Sequence, residues 1–473
     1  MAGIPKSTRR QPAFGRIRQI HMIGIGGIGM SSIAEVLLCR GYRVTGSDLE
    51  LSDVTARLVK MGATIYEGHD ASHINQPDVV VYSSAIEPSI NRETVEAEAR
   101  RIPLIPRSVM LGELMRSKYG IGIAGTHGKT TTTSITGLVV GAGGFDPTVI
   151  VGGKVSVFGS NAVSGEGDII IVEADEYDRT FLRLTPSLAV ITNIEEDHLD
   201  IYSDLDDILT AFVQFANSVP FYGAVIVCLD DDRVQSVVER INRRTVTYGT
   251  NRQAQVRAEN IVQTGREMVF DVYSQNTLLG SAQINAPGIH NVQNALAAIA
   301  VGLELDISFD RIRSGLSAFD GIQRRMEELG CVRNIRVVDD YAHHPTEIRA
   351  SLEGAKNCWP NSRIIAVFQP HLYSRTRDFQ EAFARAFFDA DIAVFMDVYP
   401  AREEPIQGID GSLIAELARS FGHQEVHYVK DKTDMPAYVA QLSREGDVIL
   451  ALGAGDIWRY SRELVHELEM VEK

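Results

Sequence analysis

Residues 125–133 read GTHGKTTTT, between the apolar run YGIGIA and a second apolar stretch, ITGLVVGAG. A strand that breaks into such a turn and then opens a helix can present backbone N–H groups to phosphate oxygens, here those of Gly125, Thr126, His127, Gly128 and Thr131. Lys129 would neutralise terminal phosphates, and the Thr130 hydroxyl could bind magnesium. Ile123 stands where the general phosphate-loop pattern has its first glycine, so the match is to the GK[ST] end of that pattern. The alternative is a plain glycine turn carrying a surface lysine.

Acids follow at two further strand ends. IIIVEADEYD ends an apolar run in Glu173, and AVITNIEEDHLD brings Asn193, Glu195, Asp197 and His198 to an equivalent edge. Open α/β sheets bind ligands at the carboxyl ends of their strands. Magnesium prefers oxygen donors, so Thr130 and Glu173 suit it, while His198 would act through water or hold a second ion. Such acids are also common as solvated loop residues.

A second glycine loop lies about a hundred residues earlier. HMIGIGGIGMSSIAEVL places Gly24, Gly26, Gly27 and Gly29 between a short strand and an apolar helix, and Asp48 ends the next strand, RVTGSD. In a dehydrogenase this pattern would hold a dinucleotide, with the aspartate on the ribose. Its glycines and helix dipole recognise a diphosphate, and a dehydrogenase has no use for the later GKT loop. Near the other end of the chain, His343, His344, His371, Arg375 and Arg377 form the densest group of histidine and arginine close to strand ends. A guanidinium fork suits an amino-acid carboxylate, and an imidazole can orient or deprotonate an amine. Solvated loop residues remain the alternative for each.

The elements needed to position these groups are legible as three restarts of short apolar strands alternating with amphipathic helices, the pattern of parallel sheets with crossover helices. The expected fold is α/β in three domains. Residues 1–118 form a Rossmann-like domain, 119–322 a central phosphate-loop domain with a mainly parallel sheet and a small antiparallel ribbon near 255–285, and 323–473 a second Rossmann-like domain. A length of 473 residues with 44% hydrophobic and 23% charged content fits such a globular chain. The net charge of −16 disfavours nucleic acid and anionic membranes. No run reaches the roughly 20 apolar residues of a membrane span, and the start lacks the apolar core of a secretory signal. Four scattered cysteines point to a reducing compartment.

In order along the chain, HMIGIGGIGMSSIAEVL, GSD at 46–48, SSAI at 83–86, GTHGKTTTT, EADEYD, NIEEDHLD, PGIHNVQNALAA, GIQRRME, DDYAHHPTEI, FQPHLYSRTRD, DVYPAREEPIQG and LGAGDI resemble the Mur ligase family of peptidoglycan synthesis. The resemblance spans nearly the whole chain. It implies an ATP-dependent ligase that joins the lactyl carboxylate of UDP-N-acetylmuramate to L-alanine in the bacterial cytoplasm, through an acyl phosphate. The first domain would hold UDP rather than NAD, with Asp48 and Ser84 in that site. Lys129 would meet the phosphates of ATP, with Thr130, Glu173 and His198 around magnesium. The resemblance implies that His290 and Asn294 serve the adenine region and that Arg325 and Asp340 also reach ATP. His343 and His344 would serve the incoming amine, and His371, Arg375 and Arg377 the amino-acid carboxylate; Leu372 stands where relatives often carry arginine. No lysine occurs between Lys154 and Lys356, so the carbamylated lysine that bridges two magnesium ions in several related ligases has no counterpart here. No nucleic acid and no membrane insertion are expected, and the expected assembly is a monomer or weak homodimer.

Overall fold

A computed structural model of the chain describes residues 14–155, 160–196, 201–401 and 403–470. Three sheets follow one another in sequence. The first contains β1 (Gln19–Ile23), β2 (Arg43–Asp48), β3 (Thr64–Glu67), β4 (Val79–Tyr82) and β5 (Leu104–Pro106), in the order β3-β2-β1-β4-β5. All its pairings are parallel. The order reverses between β1 and β4, which opens a crevice at the carboxyl edge where the first glycine loop emerges.

The second sheet contains β6 (Tyr119–Ala124), β7 (Thr148–Val155), β8 (Ser160–Val163), β9 (Ile169–Glu173), β10 (Leu188–Ile191), β11 (Ala224–Cys228), β12 (Thr245–Gly249), β13 (Val256–Thr264), β14 (Glu267–Ser274) and β15 (Thr277–Ile284). Their order is β15-β14-β13-β12-β11-β10-β6-β9-β7-β8. β9, β6, β10 and β11 are parallel neighbours. The LAVI of β10 and the AVIVC of β11 are wholly buried. Such unbroken apolar runs, rather than alternation, suit strands covered on both faces. β14 alternates buried and half-buried residues, and β13, β14 and β15 are joined by two-residue connections, which only antiparallel neighbours permit. This is the expected ribbon.

The third sheet contains β16 (Glu327–Val332), β17 (Ile335–Asp340), β18 (Ile364–Phe368), β19 (Ile392–Met396), β20 (Val426–Val429) and β21 (Val448–Leu452), in the order β16-β17-β21-β18-β19-β20. It is parallel except for the β16–β17 hairpin. β16 lies at the edge of this sheet, within the expected third domain, and pairs antiparallel with β17.

The chain forms two compact units. One holds the first sheet with β6–β12 and Gln293–Ala318, and the other holds Phe319–Lys473 with most of the ribbon. Within the first unit, one apolar cluster includes Met22, Leu37, Met115, Ile191 and Phe215, drawn from both sheets and the helices on them.

Candidate active site

The phosphate loop leaves β6 where its flanking strands also end. Ile123 pairs with Glu173 of β9, and Ala124 pairs with Ile191 of β10. Two glycines in the loop have physical reasons to be there. Gly125 has φ +143°, and a Cβ on it would stand 1.9 Å from Thr192 Oγ1. Gly128, the N-cap of helix Lys129–Ala142, has φ +80°, and its Cβ would stand 2.6 Å from Asn294 Oδ1. The backbone between them is wired to the segment after β10. Thr192 Oγ1 donates to His127 O at 2.6 Å, His127 N donates to Asn193 Oδ1 at 2.7 Å, and Glu195 N donates to Thr126 Oγ1 at 2.8 Å. Thr131 and Thr132 are buried in the first turn of the helix. Thr132 Oγ1 donates to Asn294 Oδ1 at 3.0 Å, so Asn294 stands against the phosphate loop itself.

Lys129 Nζ donates to Gly125 O at 2.7 Å and Thr126 O at 3.0 Å and pairs with Glu176 at 2.7 Å. Burial pulls the ammonium pKa down, but Glu176, then Asp175 and Glu173, outweigh it and hold it above the ordinary lysine value. The sequence reading singled out Glu173 and passed over Glu176 three residues later. EADEYD contains two glutamates, and only the turn of backbone after β9 decides which of them meets the lysine.

Glu173 faces Thr130, whose Oγ1 lies 3.0 Å from both carboxylate oxygens, and it accepts from Gly152 N at 2.6 Å. Burial raises its pKa, against the opposing field of Lys129. A carboxylate beside a hydroxyl at a phosphate loop is an all-oxygen donor pair with excess negative character, and this fits a magnesium ion. His198 and Asp197 lie outside the described residues.

At the first glycine loop, Gly24 N and Ile25 N donate to Ser47 O at 2.8 and 3.0 Å, and Gly24 has φ +76°. Gly26 N donates to Asp48 Oδ2 at 2.7 Å. Asp48 therefore ties the end of β2 to the loop, a task additional to the substrate contact read from sequence. Gly27 is exposed as the N-cap of helix Ile28–Cys39, and Ser84 is exposed after β4. Behind the loop lies a buried carboxylate that the sequence reading missed. Glu93 accepts from Ser47 Oγ at 2.5 Å and from His73 Nδ1 at 2.7 Å, with His69 Nδ1 at 3.3 Å and His21 Nε2 at 3.7 Å.

In the second unit, His343, His344 and His371 gather near the carboxyl ends of β17 and β18. His343 Nδ1 lies 3.0 Å from Tyr341 O, a partner that can only accept, so that nitrogen carries the proton. Its backbone N donates to Glu347 Oε2 at 3.0 Å, and its ring lies edge-on to His371 at 6.2 Å. His371 stacks on Tyr399 at 5.7 Å, while His344 is buried against Phe379. Leu372, between His371 and the arginines, has φ +71°, a conformation that costs about 1–3 kcal/mol outside glycine. The two arginines differ. Arg375 is buried, whereas Arg377 is exposed and paired with its neighbour Asp378 at 2.7 Å.

Also in this unit, Arg325 pairs with Glu347 at 3.5 Å, and Asp340 accepts from Met326 N and Ala342 N, both at 2.8 Å. Its neighbour Arg324 is structural: it pairs with Asp339 at 3.0 Å and donates to the carbonyls of Gly453, Ala454 and Gly455 in the turn after β21. Glu347, shared by Arg325 and His343, was not singled out from sequence. His290 Nε2 accepts from Asn291 Nδ2 at 3.1 Å.

Comparison with known proteins identifies the family. The Mur ligase family catalytic domain matches residues 19–119, the Mur ligase middle domain 123–302, and the Mur ligase glutamate ligase domain 324–455. The chain belongs to the Mur ligase family. Among its relatives, UDP-N-acetylmuramate–L-alanine ligase of Salinibacter ruber is 63% identical over 461 residues, covering 98% of this chain and 97% of that protein. The enzyme of the same name from Myxococcus xanthus is 50% identical, covering 95% of each chain. The crystal structure of UDP-N-acetylmuramate-alanine ligase from Thermotoga maritima matches with a TM-score of 0.80 at 30% identity, covering 96% of this chain and all of that one.

Proposed function

We propose that this protein is an ATP-dependent ligase that joins the lactyl carboxylate of UDP-N-acetylmuramate to the amine of L-alanine, releasing ADP and phosphate, as a step in peptidoglycan precursor synthesis. The observation that carries the reading is the meeting of Lys129, Thr130 and Glu173 where β6 and β9 end side by side. The relatives named above supply the substrates.

A carboxylate is a poor electrophile because its leaving group would be oxide. Its oxygen attacks the γ-phosphorus, the bond to ADP breaks, and the resulting acyl phosphate carries a good leaving group. The amine then attacks the acyl carbon, and the C–O bond to phosphate breaks as the amide forms. No protein nucleophile is needed. Lys129 and the loop amides of Gly125–Gly128 hold the phosphates against the approach of a second anion. Thr130 and Glu173 would hold magnesium, with His198 added by the family resemblance, and the ion would neutralise phosphate charge when bound. His343, whose Nδ1 donates to Tyr341 O, would orient the amine or accept a proton from it.

The remaining assignments extend the same reading. Residues 1–118 take the UDP-sugar through Gly24–Gly29, Asp48 and Ser84. Residues 119–322 take ATP, with His290, Asn294, Arg325 and Asp340 completing its site. Residues 323–473 bring L-alanine through His344, His371, Arg375 and Arg377. The bacterial cytoplasm supplies both ATP and the nucleotide sugar. No described helix is long and apolar enough to cross a membrane.

Phosphate release from ATP and magnesium, measured with UDP-N-acetylmuramate and each amino acid in turn, tests the proposal. Release that requires both UDP-sugar and L-alanine, with a product heavier by one alanyl residue, is the expected result. Release only with a preformed tripeptide, or none with any acceptor, would overturn it.

A further inference from the structure

DVYPAREEPIQG, residues 397–408, is a motif to which the ligase chemistry gives no task. It leaves the carboxyl end of β19 beside the segment that leaves β18 and carries His371, Leu372 and Arg375, since Phe368 pairs with Phe395. Tyr399 N donates to Pro370 O at 2.8 Å, and Leu372 N donates to Tyr399 O at 3.0 Å. The two segments thus continue the pairing of their strands as far as His371 and Tyr399, whose rings stack. Beyond that point Glu403 reaches across. Its Oε2 accepts from Ser374 N at 3.0 Å, and its Oε1 accepts from Ser374 Oγ.

Ser374 lies in the first turn of helix Tyr373–Asp378, which is 6 residues long. A helix that short is not stable alone in water, and the N–H groups of its first turn have no partner within it. It also follows directly on Leu372, whose φ of +71° a residue with a side chain keeps only when its surroundings impose it. Glu403 supplies the constraint from outside. Burial raises its carboxyl pKa, but the Ser374 hydroxyl, the amides of Ser374 and Tyr373 and the charge of His371 outweigh burial and hold it below the ordinary glutamate value. At neutral pH the group is therefore an anion fixed by three donors of one turn. Arg375, buried, is the next residue after Ser374, and His371 stands on the other side of Leu372.

We infer that Glu403 is a positioning residue for the amino-acid substrate: by fastening the first turn of helix Tyr373–Asp378, it holds His371 and Arg375 in the arrangement that receives the substrate's carboxylate. The inference rests on the proposed assignment of those two residues to L-alanine. A guanidinium fork keeps both of its hydrogen bonds to a carboxylate in one orientation only, so a first turn that loosens at Ser374 weakens the grip of Arg375 without removing any group that touches substrate. The motif acquires its task in this way, with Tyr399 stacked on the histidine and Glu403 tied to the helix that carries the arginine.

Steady-state kinetics of the full-length protein with each substrate varied in turn tests this. Glu403→Gln keeps the length of the side chain but gives up its charge, and its amide nitrogen cannot accept a hydrogen bond. KM for L-alanine should rise by about 10- to 100-fold, the range of a lost charge-assisted hydrogen bond, while KM for ATP and for UDP-N-acetylmuramate stay within about twofold. At saturating L-alanine, kcat should remain within about threefold of wild type, the signature of lost binding rather than lost chemistry. Glu403→Asp, which keeps the charge, should recover part of the loss. Ser374→Ala removes the hydroxyl and leaves the backbone donor, so it should raise the same KM by about 3- to 10-fold, and adding it to Glu403→Gln should raise that KM no further, because the two groups act as one contact. Thermal melts check folding, and Ser374→Ala carries the test if Glu403→Gln unfolds. Arg375→Ala separates this inference from the reading beneath it. If Arg375→Ala raises KM for L-alanine and neither Glu403→Gln nor Ser374→Ala does, the role of Glu403 is overturned and the amino-acid site stands. If none of the three changes it, both fall. A uniform rise in all three KM values, or fully additive effects of the two substitutions, would mark Glu403 as a general structural residue and also overturn the inference.

Discussion

Lys129 Nζ lies 2.7 Å from one oxygen of Glu176 and 3.0 Å from the other. The lysine expected to meet ATP phosphates is therefore matched by a carboxylate from the segment that follows β9. Glu176 and the terminal phosphates offer the same ammonium the same kind of partner. Glu176→Gln should destabilise the nucleotide-free protein by about 3 kcal/mol, because a buried charge loses its counterion. A nonhydrolysable ATP analogue with magnesium should then raise the melting temperature of the variant more than that of the wild type, since phosphate replaces the missing carboxylate. Equal ATP-induced shifts in the two proteins would show that Glu176 and nucleotide do not share the lysine.

The phosphate loop was legible because its chemistry is local: Gly125, Gly128, Lys129 and Thr130 sit within one strand-turn-helix unit, as does the first glycine loop. Glu93 was not legible, because its partners His21, Ser47, His69 and His73 come from separate elements and meet only after the first sheet assembles. The β16–β17 hairpin was hidden for a different reason. Its turn residues Arg333 and Asn334 have φ +49° and +60°, the left-handed pair a tight hairpin requires, but the sequence there lacks the usual Asn-Gly or Asp-Gly signal. Arg324 and Arg325 are adjacent in sequence and similar in chemistry. Which of them is structural depends on the turn after β21, far along the chain.

Glu173 should show a trade between stability and activity. Its folded pKa is raised, first by burial, above the ordinary 4.5. The folded state thus keeps a proton that the unfolded state has released, and stability falls as pH rises from the unfolded value through the folded one. Glu173→Gln removes that penalty. At neutral pH the nucleotide-free variant should melt no lower than the wild type, with the two converging below about pH 4, while ligation falls by about 10²- to 10³-fold. A clear loss of stability at pH 7 would contradict this sign.

Glu93 has the opposite sign. Burial raises its pKa, but His21, Ser47 and His73 outweigh burial and hold it below 4.5. Its contribution to stability is full above the unfolded pKa and is lost as pH falls through the folded one. Glu93→Gln should cost about 3 kcal/mol at pH 7, with the gap from wild type narrowing below about pH 4. Urea denaturation at both pH values measures it, and a gap that widens in acid would exclude the role.

Arg375 and Arg377 lie two residues apart and differ in surroundings, one buried and the other solvent-facing beside Asp378. A carboxylate bound by a buried guanidinium gains more than one bound in water. Arg375→Ala should raise KM for L-alanine by about 10- to 100-fold, whereas Arg377→Ala changes it by less than about threefold. Reversed magnitudes in steady-state kinetics would assign the amino acid to Arg377.

His290 is held neutral. Burial, and then the charge of Arg325, pull its pKa down to about 4. Nε2 accepts from the Asn291 amide, so the proton of the neutral ring resides on Nδ1. The imidazole can then take part in nucleotide recognition as a fixed donor-acceptor pair whose pattern does not change across the physiological range. In ¹⁵N-resolved spectra of the full chain, the His290 nitrogens should keep the neutral Nδ1–H pattern from pH 8 down to about pH 5. His290→Ala should therefore leave the shape of the pH–kcat profile unchanged while raising KM for ATP. Titration of His290 near its ordinary value, or a profile limb that disappears in the variant, would make it an acid-base group instead.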